Sequence, residues 1–328
     1  MQKFINEPAR TVVDYLRGLE MAHAGQLRVN VSPRFVVRAD APVADKVTII
    51  SGSGSGHEPL NAGYVGRGML DAAVPGDIFT SPTPDQYLAA IDACHGGQGV
   101  VLIVKNYAGG VLNTEVAMEL VTEAGIRIAP VLVSDDVSVP DPSRRRGMGA
   151  AVLVEKIAGA AAEAGYSFEA VLEVARRASA NARSMGVALS GCTSPMVGAP
   201  AFRLPVGQME IGVGIHGEAG RQRAPLLGAK AIAALLLDTI AADLDVQPGE
   251  RMLVLVTGLG GTPQQELYIV YGHVHHALAG MGVTVERSLV GEYITSLDMA
   301  GAAVTLMRLD DELLRLWDAP VVTPTLRW

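Results

Sequence analysis

Two short apolar runs, Val47–Ile50 and Met209–Ile215, each meet a glycine-rich segment that carries a histidine. The first continues as Ser51-Gly52-Ser53-Gly54-Ser55-Gly56-His57-Glu58-Pro59, and the second contains Gly212-Val213-Gly214-Ile215-His216-Gly217-Glu218. An apolar run of this length that stops at glycine reads as a buried strand with a sharp turn at its carboxyl end. Open α/β sheets gather their ligands beyond such strand ends. An imidazole can be nucleophile, proton acceptor and proton donor near neutral pH. His57 and His216 are therefore candidate reactive groups, and Gly54 and Gly56 would let a small polar molecule reach the backbone. A glycine-flanked histidine is also an ordinary turn residue, and pattern alone leaves both readings open.

Strand-like runs alternate with amphipathic helical ones along the chain, as in an α/β fold. Strands are predicted at Val47–Ile50, Val100–Val104, Ile128–Val133, Val187–Leu189, Met209–Ile215, Met252–Val256 and Thr284–Leu289. Helices are predicted at Glu7–His23, Pro84–Cys94, Thr114–Ala124, Ala150–Ala164, Phe168–Met185, Leu226–Leu244 and Pro263–Met281. Pro84 suits a first helical position, and Ser167 suits an N-cap. With 328 residues, the chain is long for one core and natural for two. We expect two α/β domains, 1–184 and 185–328, each a largely parallel or mixed sheet flanked by helices.

Apolar residues make up 49% of the chain and charged residues 18%, a globular composition. The net charge of −8 argues against a nucleic-acid partner. Cys94 and Cys192 fit no metal or redox spacing. The first ten residues lack a signal core, and the apolar run Ala231–Leu237 is too short to span a bilayer. A soluble, cytoplasmic protein with no membrane association is expected. The basic cluster Arg144–Arg146 lies among prolines and is read as a solvated turn in preference to a phosphate contact.

Three patterns invite over-reading. Gly212-x-Gly214-x-x-Gly217 meets the dinucleotide fingerprint, yet Glu218–Ala224 is too polar and irregular to open a helix there. The glycines at 52–56 lack the lysine of a phosphate-binding loop, and Gly258–Thr262 reads equally well as a tight strand–helix turn. His273, His275 and His276 share no HExxH spacing, so no metal site is expected.

More specific segments remain. They include Ser53–Pro59, Pro75-Gly76-Asp77-Ile78-Phe79-Thr80-Ser81-Pro82-Thr83-Pro84-Asp85-Gln86, Lys105-Asn106-Tyr107 and Arg145-Arg146-Gly147. Arg183–Leu189, Gly214-Ile215-His216-Gly217-Glu218, Gly258–Pro263, Ala319–Pro324 and Trp328 follow in order. Through these the chain resembles the ketose-binding K subunit of bacterial dihydroxyacetone kinases over essentially its full length. The resemblance implies that His216 adds through Nε2 to a ketone carbon as a hemiaminal, and that His57 is an acid/base on the bound ketose. It implies that Gly54, Ser55, Gly56 and Lys105 bind hydroxyls. It also implies a homodimer, no cofactor on this chain, and ATP or ADP with Mg on a nucleotide-binding L subunit or fused L domain, with ATP and a phosphoenolpyruvate-driven relay both open as the phosphate source.

One position departs from the pattern. The resemblance implies an aspartate, a base for the reacting hydroxyl, where this chain has Gly110 in Lys105-Asn106-Tyr107-Ala108-Gly109-Gly110. A general base contributes about 10²–10⁴-fold. Three expectations follow: a longer ketose such as erythrulose in the space Gly110 opens, His57 acting alone as base, or a silent dihydroxyacetone-binding coactivator.

Overall fold

A computed structural model describes residues 3–218 and 220–328. The chain forms two compact units, one built from residues 3–133, 151–179 and 313–328, the other from 134–150 and 180–312. The single cut expected at 184/185 therefore gives way to an interleaved division. The reason lies in the helix predicted over Phe168–Met185, which stops at Ala180. Residues 182–188 instead form a strand that pairs along its whole length with Gly301–Arg308. Seven paired residues outweigh the helical preference of an Ala-rich run, because propensity is a weak prior beside sheet pairing.

In the first unit, six strands form one mixed sheet: β1 (Leu27–Val31), β2 (Arg34–Arg38), β3 (Thr48–Ser55), β4 (Ala72–Ile78), β5 (Val100–Lys105) and β6 (Ile128–Val133), in the order β1-β2-β4-β3-β5-β6. The four strands β4, β3, β5 and β6 run parallel. Alternation along β3 and β5 decides which residues meet which layer. Ile50, Leu102 and Val104 pack with Tyr87, Ala90, Ile91 and Cys94 of α2 (Pro84–Cys94) and with Ala117 and Val121 of α3 (Ala108–Glu123). Ile49, Val101 and Ile103 point to the opposite face and are equally buried. α1 (Thr11–Ala22), α4 (Ala150–Glu163) and α5 (Phe168–Ala180) complete the layers.

The helix starts follow their sequence signals. Pro84 opens α2 behind Thr83, whose backbone N–H donates to Gln86 Oε1 at 3.0 Å, closing a capping box. Ser167 Oγ accepts the N–H of Ala170 at 3.3 Å, as an N-cap should. α4 is buried from Ala150 to Ala162, and Gly159 is required there because a Cβ would run into the backbone of Met69.

The second unit holds another six-stranded mixed sheet: β7 (Ala182–Ala188), β8 (Gln208–Ile211), β9 (Gln222–Pro225), β10 (Arg251–Gly258), β11 (Thr284–Gly291) and β12 (Gly301–Arg308), in the order β11-β10-β12-β7-β8-β9. α6 (Ala229–Leu244) and α7 (Gln264–Gly280) cover its core, with Leu236, Leu237, Leu267 and Val274 set against Val254, Val256, Val304 and Leu306. α8 (Asp311–Asp318) follows β12.

Arg144–Arg146 is not a solvated turn. Only Arg144 is exposed; Arg145 is buried and grips Asp243 through Nη1–Oδ1 at 2.9 Å, while Arg146 Nε donates to Asp136 Oδ2 at 2.8 Å. Asp243, 98 residues along the chain from Arg145, and Asp136, 10 residues from Arg146, claim these guanidinium groups. On α7, His275 and His276 are exposed, and no group of three or more His, Cys, Asp or Glu residues placed to hold a metal occurs among the described residues. Nor is any helix among them long and apolar enough to cross a membrane.

Candidate functional site

β3 is longer than predicted, running through the glycine–serine stretch to Ser55, so that Gly52 and Gly54 are strand residues. Gly54 needs to be glycine, and Gly52 is crowded by a side chain. A Cβ at Gly54 would stand 2.6 Å from the N of Thr80 and 2.8 Å from the carbonyl carbon of Phe79, and one at Gly52 would strike the ring of Tyr87. The β4–α2 loop is thereby allowed to lie directly on β3.

That contact assembles the carboxyl end of the parallel strands. Phe79 N donates to Ser55 O at 2.9 Å, and Ser55 Oγ donates to Gly76 O at 2.8 Å. His57 is wholly buried and stacks on Phe79, with ring centroids 5.1 Å apart and 19° between planes. The β5–α3 turn closes the other side. Lys105, the last residue of β5, is buried, and a Cβ on Gly110 would lie 3.7 Å from both Lys105 O and Ser81 Oγ. Gly54, Ser55, Gly56, His57, Lys105 and Gly110 thus converge between β3 and β5, whose connections leave in opposite directions. That is the crevice where open α/β sheets bind ligands.

α3 begins at Ala108, six residues earlier than predicted, so Gly110 sits in its first turn and not in a loop. Adjacent glycines at 109 and 110 disguised that start, since glycine disfavours helix.

Beneath the crevice lies a buried polar cluster. Asn61 Nδ2 donates to Glu155 Oε1 at 2.7 Å and to Ser51 Oγ at 2.9 Å, and Ser53 Oγ donates to Asn61 Oδ1 at 2.7 Å. Burial pushes the Glu155 carboxyl up to about 7, against the pull of Ser51, Lys105 and Asn61. Burial likewise raises Glu58, whose carboxylate accepts the N–H of Gly56 at 2.9 Å.

The second unit holds His216. The strand predicted to end at Ile215 ends at Ile211, on an antiparallel ladder, and His216 follows in a turn. Gly212 and Gly217 adopt φ of +76°, a backbone that glycine favours, which curls the segment off the sheet. Beyond Gly217 comes β9 and not a helix, so the dinucleotide fingerprint has no structural basis here.

The imidazole is held by its near neighbour. Glu218 Oε2 accepts the backbone N–H of His216 at 2.9 Å, and Oε1 lies 3.1 Å from His216 Nδ1. Burial opposes charge on Glu218, but the hydrogen bond and field of His216 and the charge of Arg146 outweigh it and hold the carboxyl below its usual range. An ionised carboxylate only accepts, so the neutral tautomer that this contact selects has its proton on Nδ1 and its lone pair on Nε2. Arg146 braces the loop: Nη2 donates to Gly212 O at 2.8 Å and Ser138 Oγ at 2.9 Å.

Residues 17–325 match the Dak1 domain. The chain belongs to the Dak1 family. Over its whole length, and 99% of the relative's, this Dak1 chain is 43% identical to the dihydroxyacetone-binding subunit DhaK of the PEP-dependent dihydroxyacetone kinase of Escherichia coli (strain K12). It is 41% identical to the D-erythrulose kinase of Mycolicibacterium smegmatis, over 99% of this chain and 56% of that protein. The crystal structure of the dihydroxyacetone kinase of C. freundii superposes with a TM-score of 0.91 at 36% identity, covering 99% of this Dak1 chain and 60% of that one.

Several residues of the candidate site escaped the sequence reading. Ser81 and Phe79 lie in a segment quoted only for its resemblance. Glu218 stood beside His216 without a role, and Arg146 was assigned to solvent. Asn61 and Glu155 gave no usable signal, because an acid in an Ala- and Val-rich helix, like Glu163 further along, reads as a surface residue until its burial is seen.

Proposed function

We propose that this Dak1 chain is the ketose-binding subunit of a dihydroxyacetone-type kinase, holding dihydroxyacetone or a four-carbon ketose such as erythrulose. The observation that carries this reading is the His216–Glu218 pair, which presents Nε2 as a nucleophile. The Nε2 lone pair forms a bond to the ketone carbon, the carbonyl π pair moves to oxygen, and the Nδ1 proton released toward Glu218 balances the proton that oxygen takes up. A polyol has no such carbon, so the adduct selects ketoses. To His57 we assign acid/base work on the ketose, and to Lys105, Ser55 and the backbone of Gly54 and Gly56 the binding of its hydroxyls. The phosphoryl group comes from a nucleotide with magnesium on a partner L subunit, either ATP or ADP recharged by a phosphoenolpyruvate-driven relay; the chain itself contributes substrate binding and proton handling. A cytoplasmic homodimer completes the reading, and a monomer mass by light scattering at micromolar protein would count against the dimer.

Intact-protein mass spectrometry with dihydroxyacetone and erythrulose tests the adduct. The parent should gain the mass of one whole ketose with no water lost, and His216→Ala should gain none while keeping its circular dichroism. Equal ketose retention by that variant would refute the adduct. A second reading, a silent ketose-binding coactivator, is favoured by Gly110 alone. Phosphorylation by the parent with its L partner separates the two.

A further inference from the structure

α4 buries a carboxylate where packing alone would favour a hydrocarbon. Glu155 is 0% exposed, in a helix whose neighbours Val152, Val154, Ile157 and Ala158 are all buried and apolar. Burying a charge carries a large desolvation cost, and an apolar residue of similar volume is often neutral or stabilising at such a position. The acid therefore calls for a role other than packing.

Its contacts lead to the crevice. Glu155 Oε1 takes one proton of Asn61 Nδ2, which also reaches Ser51 Oγ, while Asn61 Oδ1 receives Ser53 Oγ. Ser51 pairs in register with Ile103, so Ser51, Ser53, Ile103 and Lys105 occupy the same sheet face, the one turned toward Glu155. Ser53 adjoins Gly54, and Lys105 ends β5. Each polar neighbour of Glu155 comes from a different element: the neutral Ser51 hydroxyl from β3, the neutral Asn61 amide from the following loop, and the charge of Lys105 from β5. Lys156, next along the helix, turns away and donates to Leu316 O at 2.8 Å.

We infer that Glu155 is a positioning residue for the ketose crevice: through Asn61 it fixes the serine face of β3 beside Gly54, and it supplies the buried counter-charge of Lys105. This inference rests on the assignment of Lys105 to ketose binding above. Glu155 touches no substrate; it acts through Asn61 and Lys105. Because Gln keeps the acceptor for Asn61 and loses only the charge, Glu155→Gln isolates the electrostatic part.

The test is a pH titration of Lys105 Nζ by NMR in ¹⁵N-lysine-labelled, ligand-free protein, alongside dihydroxyacetone retention between pH 6 and 9. In Glu155→Gln the Lys105 midpoint should fall by about one unit or more, the usual effect of removing an opposite charge at short range. Ketose retention should drop about tenfold at alkaline pH and recover toward pH 6, and Glu155→Asp should restore most of it. An unchanged Lys105 midpoint in folded Glu155→Gln overturns the inference. Should that variant fail to fold, Lys105→Met offers the reciprocal measurement: the Glu155 carboxyl must titrate higher by ¹³C NMR, and no rise overturns the inference equally. If the parent retains no ketose at all, the functional reading fails, while the Lys105 titration still decides the pairing.

Discussion

Gly110→Asp is the perturbation whose outcome the structure determines most sharply. Gly110 is the third residue of α3, after the N-cap Tyr107, and no acidic residue occupies that first turn. Its φ is not positive, and the nearest atoms to a built Cβ, Lys105 O and Ser81 Oγ, lie at ordinary contact distance, 3.7 Å. A side chain therefore enters without strain. Replacing a helical glycine removes a penalty of about 0.5–1 kcal/mol relative to alanine, part of which aspartate's own propensity takes back. A carboxylate in the first turn adds about 0.3–1 kcal/mol against the helix dipole. The net expectation is a gain of about 0.5–1 kcal/mol, a rise in Tm of about 1–3 °C. Functionally, the carboxylate enters the crevice beside Lys105 and Ser81. Phosphorylation of dihydroxyacetone with an L partner should rise, by up to the 10²–10⁴-fold that a general base contributes. Activity on a four-carbon ketose should fall as the space closes. The assays are calorimetry and coupled phosphorylation with both ketoses. A drop in Tm of several degrees would refute the helical argument. Rapid dihydroxyacetone turnover already present in the parent, and unchanged in a stable variant, would refute the functional argument and leave His57 as a sufficient base.

Other expectations are independent of that one. Glu218→Gln removes the ionised acceptor that sets the His216 tautomer, and ketose adduct by mass spectrometry should fall about 10–100-fold, the usual effect of losing a partner that orients a functional histidine. Arg146→Lys loses the fork that spans Asp136, Ser138 and Gly212 O; it should lower adduct formation and cost about 1–2 kcal/mol in denaturant melts. Gly159→Ala drives a methyl into the Met69 backbone and should cost about 1–3 kcal/mol or more. The Glu155 carboxyl, raised to about 7, makes the native state hold a proton that the unfolded chain releases near 4.5. Stability of the parent should therefore fall as pH rises from about 4.5 to 7 relative to Glu155→Gln, and stay level above; a flat difference across that window would refute the assignment.

Legibility from the sequence followed the range of the interaction. Pro84–Cys94 and Ile128–Val133 were read to the residue because their signals, a helix-opening proline and a β-rich run between turns, lie within the segments themselves. The candidate site residues of the first unit were legible as motifs, since glycine is forced wherever a loop must lie on a strand. β1, β2, β4, β9 and β12 were missed. β12 starts with Gly301-Ala302-Ala303 and is a strand because β10 and β7 pair with both its edges. Arg145 and Arg146 defeated local reasoning for the same reason: their partners Asp243 and Asp136 are assigned by the fold. Where a polar residue owes its place to a distant partner, as Glu155 does to Asn61, composition points the wrong way.

The interleaved chain path bears on the order in which the protein can fold during synthesis. The unit containing β7–β12 has all its segments once residue 312 is made. The unit containing β1–β6 begins first yet finishes last, because residues 313–328 belong to it. Val322 N donates to Arg67 O at 2.9 Å and Thr325 N to Gly63 O at 3.1 Å, so the final segment straps the loop that follows Asn61. At about 5–20 residues per second, residues 134–312 take about 9–36 s to emerge. Throughout that interval the nascent β1–β6 unit lacks the strap over the loop beside its own crevice. A ribosome stalled before residue 313 should present that loop to protease, and one stalled with residue 328 clear of the exit tunnel should not.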